Sequence, residues 1–281
     1  MKRIFSLVIG AVLLIALTAC GASGPKNASE VLEKAQKASQ DLKSFNADTT
    51  TNMDMEVQGQ KIHTSTIGSV DYQKEPLLIY TKQKTSNPKN AGQTMNIDMY
   101  MTKDNLYMQS PMKPGEWVKL DNPQSAMLDK LTKGNAADIE KQLKSLKGFA
   151  KDFKLEEKDK NYVLTYKGKG ADFDKFVKKM VKDQMPNMDQ FKEAMKNVKY
   201  DNVSFTYTFD KEKFLPQEMK MTMNMTVTNP NDETQKMKMK VKSSSEYKDF
   251  NNVKVTIPDD VKQNAKEVKM PDMETTTTQT Q

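Results

Sequence analysis

One cysteine, Cys20, and one histidine, His63, are the only residues of their kinds in a chain of 281. Cys–His nucleophilic catalysis and a multi-histidine metal site therefore cannot be assembled. His63 lies in the alternating stretch Lys61-Ile62-His63-Thr64-Ser65, where a solvent-facing strand residue accounts for it better than a general base does. The sequence contains no GxSxG turn, no Walker A loop and no GxGxxG. Its acids are spread so evenly that no carboxylate pair stands out. No catalytic residue, metal or cofactor is expected. What the chain has in excess is the thioether, with 21 methionines.

The methionines recur at every second position. Met219, Met221, Met223 and Met225 alternate with Lys220, Thr222 and Asn224, and side chains alternate faces along a strand, so the sulfurs share one face and the polar groups the other. Met53 and Met55, then Met95, Ile97, Met99 and Met101, then Met237 and Met239 repeat the pattern. Three uses fit such a face. It can be an ordinary core, each buried Met contributing about 1.5–3 kcal/mol, although strands usually prefer β-branched and aromatic residues. It can wall a deformable cavity, because Met has soft torsions and remoulds around acyl chains or another apolar or amphipathic ligand. It can hold Cu(I), for which thioethers are suitable soft donors. Residues two apart on a strand stand about 6.5–7 Å from each other and strands about 4.8 Å, so three sulfurs converge only if the register cooperates. Against copper stand the absence of a nearby His and the expectation that these faces are buried.

The elements that must carry this face are legible as period changes. Asn27-Ala28-Ser29-Glu30 has the form of a helix start with Glu30 reaching back, and Val31, Ala35, Ala38, Leu42 and Phe45 follow at helical spacing. From Asn46 to Asp121 the period is two, with short connections that admit only antiparallel hairpins. Helical patterns return over 123–148, with Met127, Leu128 and Leu131 and then Ile139, Leu143 and Leu146, and again over 171–196, with Phe173, Phe176, Val177, Met180 and Val181. Gly148 is a plausible helix stop, and Met185-Pro186-Asn187 a break. A hairpin turning at Asp159-Lys160-Asn161 lies between the two. Beyond Val198 all apolar alternation reads as strand, including Val253-Val255-Ile257. Strands with segregated helices and no βαβ alternation give an α+β fold built on one large antiparallel sheet.

The first residues, MKRIFSLVIGAVLLIALTAC, join a basic start to an apolar run too short to span a bilayer comfortably, ending in small residues before Cys20. Leu17-Thr18-Ala19-Cys20 resembles the lipobox of bacterial lipoproteins, which implies that Cys20 takes a diacylglyceryl group and anchors the chain at the extracytoplasmic face of the cell membrane. Residues 1–19 then form a signal peptide, 20–27 a lipidated tether, 28–270 one domain and 271–281 a disordered tail. Loss of Lys2 and Arg3 with the leader lowers the formal charge from +7 to +5. Lysines interspersed with acids give a solvated surface rather than a nucleic-acid groove. Phe176-Val177-Lys178-Lys179-Met180 is basic and amphipathic, as a helix covering the sheet would be.

Several hairpin motifs carry a wider resemblance. Asp210-Lys211…Leu215-Pro216-Gln217-Glu218-Met219, Tyr107…Trp117-Val118-Lys119-Leu120 and Tyr247-Lys248-Asp249-Phe250-Asn251-Asn252-Val253…Ile257-Pro258 resemble the LppX/LprG-like and LolA-like envelope lipoproteins, including those of low-GC Gram-positive bacteria. That resemblance implies a strongly curved half-barrel whose concave apolar face is closed by helices around a lipid cavity. The methionine enrichment departs from the group.

Overall fold

A computed structural model describes residues 24–86, 94–110, 113, 115–121, 139–169, 173–174, 197–230 and 232–268. The leader, Cys20, the helical pattern over 123–138, most of that over 171–196 and the tail lie outside the described residues.

Helix α1 (Ala28–Gln40) begins as its sequence dictates: Asn27 accepts a hydrogen bond from the Glu30 backbone N–H, and the Glu30 carboxylate accepts from the Lys26 N–H at 2.9 Å. Its buried face is Ala28, Val31, Leu32, Ala35 and Ser39, and the Ser39 hydroxyl donates back to the Ala35 carbonyl. The helix stops before Leu42, so the apolar stripe read as continuous passes from helix to strand. Phe45 belongs to the first strand instead.

Among the described residues, twelve strands form a single open sheet, a half-barrel. They are β1 (Ser44–Val57), β2 (Gln60–Gln73), β3 (Leu78–Ser86), β4 (Thr94–Thr102), β5 (Asn105–Gln109), β6 (Trp117–Asp121), β7 (Phe153–Lys158), β8 (Asn161–Lys169), β9 (Val198–Asp210), β10 (Pro216–Asn229), β11 (Asp232–Lys248) and β12 (Lys266–Val268). Their spatial order is β12-β6-β5-β4-β3-β2-β1-β11-β10-β9-β8-β7. All neighbours are antiparallel except β12, which pairs with β6 in parallel. Two consecutive hairpin series meet along the long β1–β11 ladder, which closes the fold between residues far apart in sequence.

The main core lies under the helices and extends along β9 to Val203 and Tyr200. Helix α1 and helix α2 (Ile139–Lys147) lie over Phe45, Ala47, Tyr72, Ile79, Leu164, Tyr207 and Phe209, all buried. Phe45 stacks on Tyr72 with centroids 5.0 Å apart. Burial pushes the Tyr207 hydroxyl above its ordinary range and the Tyr247 hydroxyl up to about 12, so both rings stay neutral. The sheet face under these helices is the inner face below.

The outer face has its own small core, and here one expectation is corrected. Val253, Val255 and Ile257 form no strand. The strands they would have to join are already paired on both sides, so the segment crosses the outer face as an extended strap. Its amides are satisfied by side chains instead: Val253 N–H donates to Ser44 Oγ and Val255 N–H to Gln73 Oε1. The alternation still buries one side, because Ile257 and Val261 of helix α3 (Asp259–Asn264) close over Leu78 and Tyr107.

Candidate functional site: the methionine face

Cross-strand register decides where the candidate residues sit, because directly paired residues share a face. Met53 and Met55 pair with Val241 and Met239. Those in turn pair with Met223 and Met225. Met219 and Met221 continue that side of β10, and Met237 that of β11. On the other half of the sheet, Met95, Ile97, Met99 and Met101 pair with Thr85, Gln83, Thr81 and Ile79. The last two pair with Val70 and Tyr72, which face Ala47 and Phe45 of β1. All twelve candidates therefore lie on the inner face, the side that carries α1 and α2.

They do not lie in the core. Every methionine among the described residues is half-buried except Met95, which is 43% exposed, and the core contains Ala, Val, Leu, Ile, Phe and Tyr but no Met. The buried residues of β1, β2 and β11 cluster at the helix-covered end, at Phe45, Ala47, Tyr72 and Ser245, while the methionines run on toward the β1–β2 and β10–β11 turns. Only Met101, Met219, Met223 and Met225 pack against the core's margin.

The sequence left several members of this face unrecognised. Met108 joins it opposite Met99. Phe205 and Tyr200 of β9 flank Met221 and Met225. Phe173 packs on both, at 5.0 Å from Tyr200 and 5.8 Å from Phe205. A β-bulge between Asn224 and Met225 shifts β9 by one residue and so brings Tyr200 onto this side. Period-two counting on single strands cannot find them; hairpin register can.

The outer face near the same turns is charged. A hollow of about 520 Å³ is lined by His63, Asp54, Lys240 and Asn224 from one cross-strand row and Lys61, Glu56, Lys238 and Thr226 from the next, with Met55, Met225 and Met239 in the row between. His63 is a solvent-facing strand residue, its Nδ1 2.6 Å from Asp54 Oδ1. The hydrogen bond with the imidazole, aided by its charge and by those of Lys240 and Lys242, holds the Asp54 carboxyl below the usual carboxylate range. Among the described residues, no group of three His, Cys, Asp or Glu side chains could hold a metal. No described helix is long and apolar enough to cross a membrane.

A family of unknown function, DUF6612, matches residues 27–266, most of the chain and all twelve strands but the last residues of β12. The chain belongs to the DUF6612 family. Among solved structures, this DUF6612 protein is similar to LprF from Mycobacterium bovis, at 10% identity and a TM-score of 0.38, over 82% of this chain and 95% of that one. It is also similar to a DUF1329 family protein from Desulfovibrio piger, at 8% identity and a TM-score of 0.29, over 83% of this chain and 94% of the other. A β-barrel-like DUF1849 protein from Brucella abortus matches at 11% identity and a TM-score of 0.24, over 73% and 98%. No curated protein matches. The half-barrel is read from the strand register of the DUF6612 chain itself.

Proposed function

We propose that this protein is a non-enzymatic, membrane-anchored envelope lipoprotein, held through Cys20, that carries or retains a lipid or another apolar or amphipathic ligand against its methionine face. The observation that carries this reading is the sorting of methionine. Were Met merely this chain's substitute for Leu or Ile, it would populate the core in proportion; instead, among the described residues, the core has none, and the twelve described methionines line a partly exposed strip beside it. Soft, polarisable side chains at the margin of a rigid core suit a surface that adapts to an occupant.

Native mass spectrometry of chain expressed in bacteria without its acyl group, followed by solvent extraction, tests the proposal. Co-purifying lipid and uptake of a fluorescent fatty acyl probe, both reduced by Met223→Gln with Met225→Gln, are the expected results. Protein that is free of lipid and refuses the probe would count decisively against it.

A second reading, an interaction lipoprotein acting through its outer face on envelope polymers or a protein, is favoured by Lys236, Lys238, Lys240 and Lys242, all exposed on the outer side of β11. Binding abolished by reversing those lysines, with probe uptake absent, would select it.

A further inference from the structure

We infer that Met55, Met225 and Met239 form a binding site for a Cu(I) ion, three thioethers gathered from three neighbouring strands. The decisive condition is register, and it is met. Met55 of β1 stands directly opposite Met239 of β11, and Met239 directly opposite Met225 of β10. Opposed residues in an antiparallel pair have Cβ atoms about 4.5–5.5 Å apart. The sulfur lies two bonds beyond Cβ on freely rotating torsions, so the outer two side chains can lean over the central Met239 and bring three sulfurs round one ion.

Further thioethers wait one step away. Met53 and Met223 flank Val241 in the adjacent row on one side, and Met237 lies between Val57 and Val227 in the adjacent row on the other. Diagonal neighbours of this kind stand about 7–8 Å apart, within reach of long side chains.

The surroundings select a soft cation. On the inner face these rows continue into Thr64, Ile62 and Gln60 on β2 and into Val203, Tyr200 and Val198 on β9. None offers a carboxylate or an imidazole, which Mg, Ca, Zn and Cu(II) would require. His63, Asp54 and Glu56 belong to the outer face by strand alternation, although they line one hollow with Met55, Met225 and Met239. Partial exposure of Met55, Met225 and Met239 answers the objection that these faces are buried, and a single positive charge there keeps part of its hydration. The site does not depend on the lipid reading.

The test uses the full chain in detergent with Cys20→Ser, which leaves thioethers as the only sulfur donors, and Cu(I) kept reduced by ascorbate in competition with bicinchoninate. One Cu(I) per chain is expected, with an X-ray absorption first shell of sulfur. Because a thioether has no proton to lose, affinity stays flat from about pH 7 to about pH 5, where an imidazole site would weaken. Met239→Leu keeps volume and fold, checked by circular dichroism, and lowers affinity by about tenfold or more, whereas Met99→Leu on β4 changes it less than about twofold. No copper retained against the competitor, equal retention by the Met55→Leu, Met225→Leu, Met239→Leu triple variant, or an affinity that follows imidazole protonation would each overturn the proposal. Acyl-probe uptake by the same variants fails or persists independently, so the two ideas separate.

Discussion

Leu164 and Met219 occupy one cross-strand row on the inner face, joined through Tyr207, yet Leu164 is fully buried and Met219 only partly so. Truncation should read out that gradient. Leu164→Ala leaves a cavity among α1, β8 and β9 and is expected to cost about 2–5 kcal/mol in urea unfolding. Met237→Ala, near the β10–β11 turn, removes a half-exposed side chain and should cost about 1 kcal/mol or less. Equal losses would mean that the methionine face is core after all. On the opposite side of the sheet, Asp54 titrates below an ordinary carboxylate because of His63. A depressed folded value makes its contribution present above the unfolded pKa of about 3.9 and lost as pH falls through the folded value. The pair is exposed, 41% for His63 and 58% for Asp54, so the effect on stability is small. Carboxyl-resolved NMR titration should show the Asp54 midpoint rising toward the ordinary range in His63→Gln, and an unmoved midpoint would remove the imidazole as its cause.

At the scale of elements, local rules sufficed wherever a segment's neighbours in sequence are its neighbours in space. The cap at Asn27 is such a case: its side chain accepts from the Glu30 N–H at 3.0 Å and donates to the Glu30 carboxylate at 2.9 Å. Asn27→Ala should cost about 1 kcal/mol, most of it recovered by Asn27→Ser, measured by thermal unfolding. The β7–β8 hairpin was equally legible, since its period and its turn at Asp159-Lys160-Asn161 are written within one short stretch. Two things were not. The stripe of α1 ran on into Leu42 and Phe45 because a helix and the strand after it bury side chains against one core, and spacing alone does not mark the change. Val253 to Ile257 alternates like a strand because one side is buried, but ladder pairing depends on vacant edges elsewhere in the sheet, which no local pattern reveals. The same limit applied to the site. Single strands showed that methionines share a face, whereas the rows that put Met55, Met239 and Met225 side by side come from pairings across nearly two hundred residues.

For the whole molecule, the strands give the domain a long axis with unlike ends. Gly24 lies beside the Tyr162 hydroxyl, near the β7–β8 turn, so the chain enters at the helix-filled end. Along β10, which spans about 45 Å of extended strand from Pro216 to Asn229, Met225 and its partner Met239 stand about 30 Å from that end. Only Gly21, Ala22 and Ser23 intervene between Cys20 and Gly24, a reach of about 14 Å. An acylated Cys20 would then hold the helix-filled end near the bilayer and leave the methionine-lined turns free to stand away from it. An environment-sensitive fluorophore tests this arrangement in vesicles carrying the lipidated protein, because acylation blocks Cys20 and leaves an introduced cysteine as the sole thiol. Attached at Lys160→Cys, beside the β7–β8 turn, it should be quenched by spin-labelled lipid. Attached at Lys61→Cys, beside the β1–β2 turn, it should escape quenching. Strong quenching at position 61 would mean that the methionine end lies on the membrane and takes its ligand from the anchoring bilayer. Quenching confined to position 160 would direct the methionine face toward soluble partners or a facing envelope layer, and Cys20→Ser should abolish it by releasing the protein.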